Sequence, residues 1–241
     1  SYIVHMTEVL CYEDSYLQEF EATVTDIMDS GVVLDRTSFY PGGGGQPCDT
    51  GVIEWDGESA HIFQVSRIEG KLVHKVNGPT PDLGNSVKGR IDWIKRYQLM
   101  RTHTALHILC GVVWRDFGAQ VTGGNMTPLH ARMDFELKEM SSGFASDMEI
   151  LINKEVAAER EIEVSNLPRE EAFKIPDLIR MKINKLPPTI SEVRIVDISG
   201  LDLQADGGTH VRNTREVGKI RVVGHESKGR INKRLRIVVE D

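Results

Sequence analysis

Cysteine is scarce in this chain: Cys11, Cys48 and Cys110 are the only three in 241 residues, and no two form a CxxC pair. Neither a disulfide framework nor a four-thiolate zinc site can be assembled from them, so any metal must draw on other ligands. No apolar run approaches the roughly 18 to 20 residues that a spanning helix needs, and no basic stretch leads into an apolar segment as in a secretory leader. A cytoplasmic protein without a membrane partner is expected. Aromatic residues make up only 6%, whereas 40% of the chain is hydrophobic and 27% charged, a balance that excludes collagen, coiled coil and disordered tail. Ser1 to His5 precede Met6 and read as a remnant outside the native sequence.

Charge is uneven. Net charge is -7, and residues 1–90 hold 6 Lys and Arg against 14 Asp and Glu, so the remainder is close to neutral. Between Arg212 and Arg236 stand nine basic residues against Glu216 and Glu226, a run that suits a polyanion or the solvated face of strands.

Residues 20–27, 32–35, 52–55, 61–68, 72–76 and 87–91 alternate apolar and polar positions between turn signals, which predicts a small β-barrel. After Gly89 the spacing of Ile94, Leu99, Leu106, Leu109 and Val112 becomes helical, and a second helix is expected over 146–160. Strands are expected at 161–165, 193–198, 219–223 and 234–239. The fold class is therefore α+β: a barrel domain over 6–90 carrying a glycine-rich loop, then an α/β two-layer sandwich over 91–241.

His103 and His107 lie one helical turn apart, so both imidazoles can converge on one ion. Thr104 stands where a zinc protease would carry its catalytic Glu, so protease chemistry is not indicated. About a hundred residues later, Asp206-Gly207-Gly208-Thr209-His210 can turn tightly and bring Asp206 and His210 to a point. Asp206 alone reads equally well as the carboxylate of a turn.

These two clusters, followed by Val211 and 213–218 (NTREVG), resemble the editing domain of alanyl-tRNA synthetase. Over most of residues 6–241 the chain is more similar to the free-standing alanyl-tRNA editing proteins of the AlaX family, in the medium-length class. Residues 38–47 (SFYPGGGGQP) with Asp49-Thr50-Gly51 resemble that family's glycine-rich motif. Arg132-Met133-Asp134-Phe135 resembles its Arg-Phe-Asp-Phe strand, and Thr122-Gly123-Gly124-Asn125 falls at its Gln-x-Gly-Ser turn. The family's pattern is HxxxH with a later CxxxH; Asp206 departs from it, placing a harder carboxylate where a thiolate is usual. Leu106 departs as well, standing where the synthetase domain commonly has a recognition Thr.

The resemblance implies one Zn2+ per chain held by His103, His107, Asp206 and His210, and hydrolysis of serine or glycine esters of alanine tRNA in trans. Substrate contacts fall on Thr122, Gly124, Asn125, Arg132 and Asp134, with Gly42, Gly43, Gly44 and Gly45 near the site. Catalysis would use water at the metal held by His103, His107 and His210, or a metal that only positions the ester. His130 is a further candidate for proton transfer. The expected RNA-facing surface is the basic run from Arg212 to Arg236, Lys228, Arg230 and Lys233 foremost, with Lys95, Arg96 and Arg101; no DNA partner is expected, and a monomer is favoured. Two alternatives stay open: a tRNA-binding module whose metal site has decayed, and removal of serine from threonine tRNA.

Overall fold

The computed structural model describes residues 6–28, 31–176, 178 and 188–241; the segment before Met6 lies outside them. Two compact units divide the chain, one ending at Tyr97 and the other beginning at Gln98.

In the first unit, β1 (Glu8–Val9) pairs in parallel with β4 (Arg36–Thr37). β2 (Glu19–Met28), β3 (Gly31–Leu34), β5 (Gly51–Trp55), β6 (Glu58–Ile68), β7 (Lys71–Asn77) and β8 (Ser86–Ile91) close a barrel in the order β2-β3-β7-β6-β5-β8. Alternation drives it: Phe20, Ala22 and Val24 of β2 and Val87 and Ile91 of β8 point into a core with Leu34, Ile53 and Ile62. Gly89 interrupts the β8 series because a Cβ there would lie 2.3 Å from the Phe20 ring, so the aromatic occupies the space that a side chain would take.

Two buried polar side chains inside this unit, His74 and Arg96, are matched by partners. His74 is fully buried, with Nδ1 3.1 Å from Val32 O and Nε2 2.8 Å from Thr37 Oγ1. Arg96, expected on an RNA-facing surface, is instead 0% exposed. Its guanidinium forms a buried ion pair with Asp49 and donates to Ser15 O at 2.9 Å and Ser38 O at 2.6 Å. Five N–H donors in a planar fork suit that cage of one carboxylate and two carbonyls. Asp49 in turn accepts from Tyr40 N at 2.7 Å, so the cage ties down both ends of the glycine-rich loop.

In the second unit, β9 (Val121–Thr127), β10 (His130–Glu136), β14 (Ile220–Ser227) and β15 (Asn232–Val239) form a sheet in the order β14-β15-β10-β9. A second sheet joins β11 (Ile162–Pro168), β12 (Glu192–Ile198) and β13 (Asp202–Ala205). Among the described residues the α-helices are α1 (Trp93–Phe117), inside whose first turns the division of units falls, α2 (Phe144–Ala157) and the single-turn α3 (Arg169–Ala172). The protein is thus α+β with an N-terminal barrel.

α1 is buried almost continuously from Leu99 to Val113, which is why its apolar residues do not fall on one stripe. At Gly111 an added Cβ would come within 2.9 Å of Leu201 and 3.1 Å of Asp202, so the helix backbone runs directly against the turn before β13. α2 is fixed by Asn153, whose amide donates to Ile220 O at 2.7 Å and accepts from Ile220 N at 2.9 Å.

A second expectation is overturned besides that for Arg96. Thr122 to Asn125 form no turn; they lie within β9, with Asn125 opposite Arg132 and Gly123 opposite Asp134. Gly123 and Gly124 take extended backbone on an edge strand, where missing side chains are tolerated, and the reversal comes later at Leu129, with φ 67°.

Candidate metal centre

His103 and His107 project from the same face of α1 with ring centroids 4.9 Å apart. Asp206 and His210 come from the loop after β13, which Arg194 of β12 clamps: Asp206 N donates to Arg194 O at 3.1 Å, and Arg194 Nη1 donates to Asp206 O at 2.9 Å. Gly208 N closes the turn by donating to Asp206 Oδ2 at 3.1 Å. The carboxylate therefore serves as a turn acceptor and as a member of the cluster.

All three imidazoles turn Nε2 toward Asp206 Oδ2, at 2.7 Å for His210, 3.5 Å for His103 and 3.7 Å for His107. One ligand atom from each of the four residues lies within 4.8 Å of the others. The three histidines are each under 7% exposed, and desolvation dominates the protonation of His103 and His210 but not of His107. Burial pulls His103 down to about 4 against the attraction of Asp206. Burial and then the neighbouring His103 and His107 hold His210 well below its ordinary value. Burial alone would raise Asp206, yet the imidazoles around it keep it well below the usual carboxylate range. For His107, burial is outweighed by Asp202 and Asp206, so its pKa is raised. Three nitrogens and an ionised carboxylate, gathered out of water, are a donor set that suits a divalent zinc-like ion.

Behind the cluster stand two residues, Thr104 and Asp202, to which the sequence alone assigned no part in the site. Thr104 Oγ1 lies 3.0 Å from His210 Nδ1, and Asp202 Oδ2 lies 3.5 Å from His107 Nδ1. Both are buried. Asp202 also accepts from Gln204 Nε2 at 2.6 Å. Thr104 follows His103 directly, and Asp202 precedes Asp206 by four residues, but only the packing of α1 against β13 turns those spacings into contacts.

The other expected residues fall elsewhere. Arg132 and Asp134 are neighbours on β10, where Asp134 accepts from Arg132 Nη1 at 2.9 Å and from Arg234 Nε and Nη2 at 2.6 and 2.8 Å. Asn125 Oδ1 accepts from Met126 N at 3.0 Å, and Asn125, His130 and Arg132 line an open hollow of about 300 Å³ with Arg236 and Val223. None of the four clustered His and Asp residues lines that hollow. Thr122 is half-buried and Gly124 exposed on β9. Gly42, Gly43, Gly44 and Gly45 belong to the barrel unit and all take positive φ, between 62° and 127°, which explains four glycines in succession.

Lys228 and Arg230 are exposed at the β14–β15 turn. Lys233, grouped with them from the sequence, is corrected: it is 5% exposed, and Nζ donates to Ser227 Oγ at 3.2 Å and Arg230 O at 3.2 Å, so it props the turn from within. Arg101 is likewise engaged, donating to Val217 O and Glu240 O and pairing with Asp241. Lys95 donates to Cys48 O at 3.0 Å.

Comparison with known proteins follows the same division. Residues 4–95 match the model for tRNA synthetases class II (A), and residues 193–236 match the threonyl and alanyl tRNA synthetase second additional domain. The alanyl-tRNA editing protein AlaX-M of Saccharolobus solfataricus is 42% identical over 98% of this chain and 100% of its own length. That of Methanosarcina barkeri is 37% identical with the same coverage. Alanine--tRNA ligase of Pyrococcus furiosus is 38% identical over 91% of this chain but only 24% of its own length. With identity of this order along both full chains, the protein belongs to the family of the alanyl-tRNA editing proteins AlaX-M.

Proposed function

We propose that this chain is a metal-dependent aminoacyl-tRNA deacylase that edits alanine tRNA in trans, hydrolysing the ester of a wrongly attached amino acid. The observation that carries the reading is the convergence of His103, His107, Asp206 and His210 in a chain similar over its whole length to editing proteins.

His103, His107 and His210 would hold zinc through Nε2, and Asp206 through Oδ2. When bound, the ion supplies Lewis acidity, polarising an ester carbonyl or lowering the pKa of a water near it. Asp206 supplies the charge that a thiolate would otherwise bring, and burial excludes competing bulk water. Thr104 holds the His210 ring through its hydroxyl, and Asp202 places a carboxylate beside the His107 ring. Four donors remain gathered despite the replacement of Cys, which favours the enzyme over a decayed binding module.

Serine and glycine are the substrates to expect. A site selecting alanine gains only about a methyl's worth of discrimination against glycine and rejects an added hydroxyl by roughly a hundredfold, so a second hydrolytic sieve is needed for both. The exposed Lys228 and Arg230 would contact phosphates, and the cytoplasm, where translation runs, is the expected location.

The test is hydrolysis of seryl-, glycyl- and alanyl-tRNA(Ala), with seryl-tRNA(Thr) alongside, after chelation and after zinc is restored, using His103→Ala as control. Zinc-dependent loss of seryl or glycyl ester with alanyl ester spared is the expected result. Bound tRNA with no turnover of any ester would overturn the proposal in favour of a binding module, and turnover of seryl-tRNA(Thr) alone would reassign the substrate.

A further inference from the structure

Thr104 is fully buried on α1, and its hydroxyl meets two groups at once: His210 Nδ1 at 3.0 Å and the Val211 N–H, which donates to Oγ1 at 3.3 Å. On the far side of the same ring, His210 Nε2 lies 2.7 Å from Asp206 Oδ2. An ionised carboxylate can only accept, so without a cation the ring hydrogen sits on Nε2. Nδ1 then presents a lone pair, and the Thr104 O–H donates to it.

Ligation reverses this. For His210 to offer its Nε2 lone pair to a cation, the ring hydrogen must sit on Nδ1, and Thr104 Oγ1 must then accept it. A helical threonine can turn its own hydrogen to the carbonyl one turn back, as Thr102 does to Gln98 O at 2.7 Å. The imidazole stays neutral throughout: one hydrogen leaves Nε2 for water and one returns from water to Nδ1.

We propose that Thr104 is a positioning residue for the metal centre, a two-way hydrogen-bond partner that serves His210 as a donor in the metal-free protein and as an acceptor in the loaded one. This rests on the metal-centre reading above. The role needs a hydroxyl, so serine should fill it and valine, of the same shape, should not.

Two measurements test it. In the unmodified protein, nitrogen NMR of the His210 ring is expected to show hydrogen on Nε2 without metal and on Nδ1 with zinc; hydrogen on the same nitrogen in both states would overturn the proposal. Zinc affinity, read by chelator competition, is expected to fall about 10- to 100-fold in Thr104→Val, the range found when a ligand's outer partner is lost. Thr104→Ser is expected to stay within about threefold of the unmodified chain. Equal affinity in Thr104→Val, or equal loss in Thr104→Ser, would overturn it. Should Thr104→Val fail to fold by its melting curve, the ring spectra of the unmodified chain decide. Zinc uptake that is normal but indifferent to Thr104 defeats this inference alone, whereas no zinc uptake by the unmodified chain defeats the metal centre as well.

Discussion

Asp206 Oδ2 approaches His210 Nε2 to 2.7 Å, nearer than to either histidine of α1, so the acidic member of the cluster is bound to its partner four residues along the same loop. Loop and helix thus contribute different things: the loop brings a preassembled Asp–His pair, and α1 brings two rings whose spacing follows from the helical repeat.

Asp206→Ala removes one donor and the charge that offsets the ion. Its zinc affinity is expected to fall by more than the roughly 10- to 100-fold that an outer-partner loss produces. Asp206→Cys is expected to recover zinc binding and to favour zinc over manganese more strongly than the native carboxylate, because thiolate is the softer ligand. Chelator competition with both metals checks each variant; equal binding by Asp206→Ala would remove Asp206 from the ligand set.

Asp202→Asn should act through His107. The native carboxylate helps raise the His107 pKa against burial, so it favours the protonated ring, whose Nε2 proton must leave before a metal can bind there. Proton release on zinc addition near neutral pH, measured in a weakly buffered solution with an indicator, is expected to shrink in Asp202→Asn. Zinc affinity should also weaken, by about 10- to 100-fold, as the ring loses the carboxylate charge beside it.

Much of this was legible in the sequence, for reasons that separate the elements. β2 and β8 alternate cleanly because one face of each is core, whereas β3 is buried at every position; HxxxH declares itself through the helical repeat. Gly123 and Gly124 misled because glycine marks turns and edge strands alike, and only pairing with β10 distinguishes them. Arg96 and Lys233 misled because a basic residue looks the same in sequence whether it faces solvent or fills a cage of carbonyls. Their burial is fixed by partners distant in the chain for Arg96, notably Asp49, and by the turn's own backbone for Lys233. Thr104 and Asp202 carry no spacing signal of their own; their roles exist only once α1 lies against β13.

The barrel carries a pH dependence of its own. Burial lowers His74 from 6.5 to about 4, against the bond to Val32 O. Between those values the unfolded chain binds the proton and the folded chain does not, so stability rises with pH across that window. The contribution is full above about 6.5 and is lost as pH falls toward 4; 2.5 units correspond to about 3 kcal/mol. His74→Gln, which can still donate to Val32 O and accept from Thr37, is expected to flatten this part of the profile. Urea unfolding of both proteins at pH 7.5 and 4.5, followed by a barrel-specific signal such as Trp55, checks it: an unchanged slope would show that His74 protonation is not coupled to folding.

The RNA contact proposed for the β14–β15 turn has a separate signature. Lys228 and Arg230 are exposed, whereas Lys233 is the buried prop that holds their backbone. Replacing Lys228 and Arg230 together with Ala is expected to weaken tRNA binding and reduce the slope of log affinity against log salt by about 1.4 to 1.8, since each phosphate neutralised contributes about 0.7 to 0.9. Lys233→Met, which keeps both surface charges, should leave most of that slope while loosening the turn and lowering affinity more modestly. Filter binding across a salt series separates the two: the same loss of slope in Lys233→Met would mean that its own charge reaches the RNA, and an unchanged slope in the double variant would move the tRNA surface away from this turn.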